Sequence, residues 1–75
     1  MKEIISTANA PAAIGPYSQA VRAGNLLFIS GQVPLDPASG QPVEATIQAQ
    51  AVRSLENVKA ILAQAGAGME NVVKT

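Results

Sequence analysis

The sequence predicts a small α+β fold, a β-hairpin followed by one amphipathic helix. Three observations predict it. Two strand-like runs flank Gly24-Asn25, a two-residue hairpin signal. Apolar residues recur at helical spacing from Ile47 to Ala65. Between these stretches, residues 34–42 carry three prolines and a glycine, which bar them from a central strand. At 75 residues the chain is read as one domain, 1–75, with 48% hydrophobic content, too high for a disordered chain.

Residues 2–6 read as a short strand and 7–16 as a loop broken by Pro11, Gly15 and Pro16. Residues 17–23 and 26–32 read as the hairpin strands. The second has consecutive apolar residues, Leu26-Leu27-Phe28-Ile29, which suits burial on both faces or cover by a partner subunit. In the helix, Ile47, Ala51, Leu55, Val58, Leu62 and Ala65 form one stripe, widened by Val52 and Ile61. Gln50, Arg53, Glu56, Asn57 and Gln64 fall mostly on the other side. Thr46 is the expected N-cap, and Gly66 stands where a helix end wants a left-handed residue. Val72-Val73-Lys74-Thr75 reads as the start of a further strand, so the domain is expected to continue beyond Thr75.

Composition excludes several functions. Five Lys and Arg balance five Asp and Glu, scattered along the chain, so no basic face for nucleic acid is expected. With neither His nor Cys, no Ser/His/Asp or Cys/His set can form, the usual zinc ligand sets are missing and no disulfide can staple the fold. No metal site is expected. A core this small leaves oligomerisation as the way to hide apolar surface. No run approaches the roughly 20 apolar residues of a spanning helix, and the first residues lack a signal-peptide core, so a cytoplasmic protein without membrane partners is expected.

The hairpin is the informative part. A two-residue turn sets Ala23 against Leu26, Val21 against Phe28 and Gln19 against Ser30. Alternation then puts Tyr17, Gln19, Val21, Phe28 and Ser30 on one face, an apolar base with a polar end. Gly31 beside Ser30 leaves backbone open to a ligand. A pocket for a small molecule is built from such a patch. The same residues also read blandly: Tyr17 as a half-buried strand aromatic, Ser30 as a strand-end hydroxyl bonded to backbone, Gly31 as a bulge glycine and Arg22 as a solvated charge.

The stretch from Asn9 to Ala20, with Gly15-Pro16-Tyr17-Ser18-Gln19-Ala20 at its end, resembles the N-terminal signature of the Rid (YjgF/L-PSP) family. The resemblance continues through Phe28 to Pro34, Asp36-Pro37 with Gly40, Gln50 to Leu62 and Val72 to Thr75. It implies a chorismate-mutase-like subunit of a homotrimer with ligand sites between subunits. It further implies RidA-type hydrolysis, without a cofactor, of 2-iminobutanoate or 2-iminopropanoate to a 2-keto acid and ammonia. By position, Tyr17, Ser30 and Gly31 match family pocket residues, with Ser30 placing water or the imine. The family's carboxylate-binding arginine has no counterpart here; Arg22 and Arg53 do not match it. The alternatives are a non-catalytic small-ligand-binding or regulatory relative and, less favoured, a ribonuclease or translation inhibitor.

Overall fold

The computed structural model describes residues 2–75; Met1 lies outside them. Strands β1 (Lys2–Ile5), β2 (Ala20–Ala23) and β3 (Leu26–Ile29) form an antiparallel sheet in that order. One helix, α1 (Ile47–Gln64), packs on one face, and a 3₁₀ turn follows at Met69–Asn71. Ile5, Ala10, Ala20 and Ile61 make the small core between the layers, joined by Leu27, Ile29, Ala60 and Ala65.

The hairpin register is the expected one, with Val21 opposite Phe28 and Ala23 opposite Leu26. Gly24 takes φ +61° and no other residue of the turn has a positive φ, the type II′ pattern that favours glycine first. The strands are shorter than the sequence predicts. Gly15 (φ +103°) and Pro16 turn the chain so that the Tyr17 N–H donates to the Gly15 carbonyl at 2.9 Å, which keeps residues 17–19 out of β2. With β2 beginning only at Ala20, β3 loses its partner after Ile29. A single further bond, from Ser30 N–H to the Gln19 carbonyl (3.0 Å), extends the register. Val72 has extended backbone (φ −73°, ψ 126°), and residues 72–75 pair with no strand among the described residues.

Both helix ends follow the expected chemistry. Thr46 Oγ1 accepts from the Ala49 N–H at 3.1 Å. At the other end Gly66 (φ +81°) permits a paired closure: its N–H donates to the Ala63 carbonyl at 3.0 Å, and the Ala67 N–H to that of Leu62 at 2.8 Å. The apolar stripe is only half covered. Ile61 and Leu62 are buried, whereas Ile47 is 80% exposed and Val52 and Leu55 are also open. No helix among the described residues is long and apolar enough to cross a membrane.

Arg22 and Asn57 depart from expectation. Arg22 is not a solvated charge. Its Nε donates to Glu3 Oε1 at 3.0 Å, and its Nη2 donates to the Ala65 carbonyl. The last turn of α1 has no basic residue of its own, so Arg22 brings a cation from the sheet to the negative end of the helix. Asn57 is fully buried rather than on the wet face. Its Nδ2 donates to the carbonyls of Val33 (3.2 Å) and Leu35 (3.1 Å), and Oδ1 accepts from Arg53 Nε at 3.0 Å. This clamps the proline-rich loop to the helix. That loop is itself ordered by the bonds Asp36 N–H to Gln41 O and Gly40 N–H to Asp36 O, both 2.8 Å.

Candidate active site

The site begins at the crossing of the 7–19 segment with the end of β3. Antiparallel pairing brings Ser30 opposite Gln19, and the Ser30 hydroxyl donates to the Ser18 carbonyl at 2.6 Å. A hydroxyl has one proton and two lone pairs. With its proton committed, Ser30 Oγ can meet a ligand only as the acceptor of an O–H or N–H hydrogen bond. Gly31 follows on exposed backbone. A Cβ built there meets nothing within 4 Å, and its φ is not in the left-handed region. Nothing inside this chain therefore requires glycine at 31, and its backbone is open to approach from outside. Its N–H bonds to no acceptor among the described residues.

Ser30 and Gly31 form part of the wall of a cleft of about 660 Å³. Arg22, Leu27 and Ile29 from the sheet, Val58 and Leu62 from α1 and residues 71–75 also line it. Tyr17 is not in that wall. It is 51% exposed on the neighbouring segment, and its phenol makes no hydrogen bond among the described residues. What joins it to Ser30 is the backbone: the Ser30 hydroxyl bonds the carbonyl of the residue after Tyr17. Arg22 lines the cleft, but its contacts with Glu3 and the helix end leave it tied into the fold.

Alternation along the strand puts Gln19 at the polar end of an open pocket; the structure buries it instead, at 3% exposure. Val21 and Phe28 do occupy the face away from the helix, since Ala20, Leu27 and Ile29 pack toward Ile61. Together with Ile4, which pairs with Val21, they make an apolar row across the sheet, with Ile4 and Phe28 more than half exposed. Gln19 and Asn57 are the residues that reading the sequence missed. Asn57 had a signal, because it stands one helical turn before Ile61 on the same face. Gln19 had none: its partners are backbone groups 8–12 residues away.

Residues 7–75 match the family described as Endoribonuclease L-PSP. The 2-iminobutanoate/2-iminopropanoate deaminase of Escherichia coli K12 is 52% identical over 75 residues, covering all of this chain and 58% of that protein. The Rid-family protein YyfA of Yersinia pestis superposes with a TM-score of 0.95 at 45% identity, covering 97% of this chain and 58% of that one. The structure of E. coli TdcF with bound serine superposes at a TM-score of 0.89 with 48% identity, over 95% of this chain and 55% of that one. The chain thus spans under three fifths of the length of each of these three relatives.

Proposed function

Because the chain belongs to the Rid (L-PSP) family, we propose that the protein it forms part of hydrolyses 2-imino acids, such as 2-iminobutanoate, to 2-keto acids and ammonia. Water adds to the imine carbon, and one of its protons passes to nitrogen. The amino nitrogen of the resulting carbinolamine then takes a second proton, its C–N bond breaks to release ammonia, and the hydroxyl gives up its proton in exchange as the C=O forms. No electrons are exchanged, so no redox partner is required.

The observation that carries this reading is the Ser30 hydroxyl with its proton held by the Ser18 carbonyl, next to the unobstructed backbone of Gly31. Ser30 Oγ then accepts from water or from the imine N–H, and the Gly31 N–H donates to a substrate oxygen. Tyr17 supplies a phenol at the rim. The substrate carboxylate needs a cationic grip, which belongs to the part of the protein beyond this chain. A small 2-amino acid in the neighbouring TdcF structure and the deaminase name of the E. coli relative support the substrate class. RNA is the poorer substrate. Of five cationic side chains, Arg22 and Arg53 are hydrogen-bonded within the fold, and Lys2, Lys59 and Lys74 are far apart along the chain, which gives RNA little support here. The uncovered row of Ile4, Val21 and Phe28 suits contact with further copies in a homotrimer.

The test uses the full-length protein and 2-iminobutanoate generated enzymatically in the assay. Ammonia release faster than in buffer is expected, and Ser30→Ala should lower kcat/KM by roughly tenfold or more. Binding of 2-keto acids without turnover would replace this reading with that of a binding protein. RNA cleavage by the same preparation, lost in Ser30→Ala, would replace it with a nuclease.

A further inference from the structure

Gln19 and Asn57 are the polar side chains that the fold buries. Each needs partners, since an unbonded amide in an apolar setting is costly. Every bond of the Gln19 amide goes to the backbone of one loop. Its Oε1 accepts from the Thr7 N–H at 2.7 Å, which fixes the orientation of the amide. Its Nε2 donates toward the carbonyls of Pro11 (2.7 Å), Thr7 (3.1 Å) and Ala10 (3.3 Å). Two hydrogens serve three acceptors, so one hydrogen is shared. The backbone of the same residue takes the Ser30 N–H.

Residues 12–17 are all exposed, and their internal bond, Tyr17 N–H to Gly15 O, ties them only to themselves. This segment joins the body of the protein at two points. One is Pro11, held by the Gln19 side chain; the other is Ser18, whose carbonyl takes the Ser30 hydroxyl beside the Gln19 main chain. Both ends of the arch that carries Tyr17 therefore converge on Gln19.

We propose that Gln19 is a positioning residue: its buried amide closes the base of the 12–17 arch and so holds the Tyr17 phenol in register with Ser30 and Gly31. It touches no substrate and acts on the reaction through Tyr17. The kinetic consequence rests on the deaminase reading; the geometric one does not.

The test has one arm for each, in the full-length protein. With a fluorotyrosine at 17, the parent gives one narrow ¹⁹F line, and Gln19→Ala shifts or splits it at temperatures where both proteins remain folded. In the kinetic arm, Gln19→Ala lowers kcat/KM by roughly tenfold, mainly through KM, as expected of a displaced binding group. In a Tyr17→Phe background the same change costs less than about twofold, because the residue it acts through is already lost. Should Gln19→Ala unfold below the assay temperature, Gln19→Met takes its place, keeping the volume while removing every bond of the amide. An unchanged fluorine line, or an undiminished loss in the Tyr17→Phe background, overturns the proposal. If the parent turns over no imine, the deaminase reading fails while the fluorine line still decides the role of Gln19.

Discussion

Replacing Asn57 with alanine removes a side chain that is wholly buried and bonded at every polar atom. Two carbonyls lose their donor. Val33 is 58% exposed, so water can replace the lost bond there; Leu35 is partly buried, and its carbonyl is the costly one. An unpaired buried acceptor costs about 1–3 kcal/mol. The void adds about 1 kcal/mol, on the scale of cavity costs in other cores. The expected loss is therefore about 2–4 kcal/mol. Asn57→Leu fills the space but not the bonds, so it should lose less than alanine does, yet still about 1 kcal/mol or more. Urea unfolding of the full-length protein measures both, with the midpoint moving to lower urea at constant slope. Lys59→Ala, on the exposed side of the same helix, serves as control and should stay within about 0.5 kcal/mol. If Asn57→Ala matches that control, the amide is not clamping the loop and the reasoning is wrong.

Ile61→Ala empties the middle of a core that has few other members, and should cost about 2–5 kcal/mol, read as a fall in thermal midpoint. An effect under about 1 kcal/mol would mean that the helix is held mainly elsewhere. Gly66→Ala asks a side chain to adopt φ +81°, and should cost about 1 kcal/mol although a Cβ there meets nothing within 4 Å. No loss in the same melt would mean the helix end rearranges without its left-handed closure.

Much of the fold was legible because it is local. Gly24-Asn25 sets a two-residue turn, and the turn dictates the register down to Val21 opposite Phe28. Thr46 and Gly66 announce the helix ends through bonds to residues within four positions. Of the candidate site, the register carries Ser30 to the Ser18–Gln19 segment, while Tyr17, Ser30 and Gly31 are candidates through the resemblance alone. Strand alternation does not hold at Tyr17–Gln19, because the Gly15-Pro16 turn keeps these residues out of β2. Arg22 reads from the sequence in its usual surface role, since no local feature shows that a helix end will arrive 43 residues later.

What the order of amino acids determined by itself was the set of elements, the helix caps and the pairing of β2 with β3, all fixed by contacts close along the chain. Tertiary structure alone decided what the polar side chains do. Gln19, Asn57 and Arg22 each answer to backbone groups delivered by distant segments. A buried hydrogen bond depends on where a carbonyl ends up in space. That position is a property of the assembled layers and of no stretch of sequence taken alone.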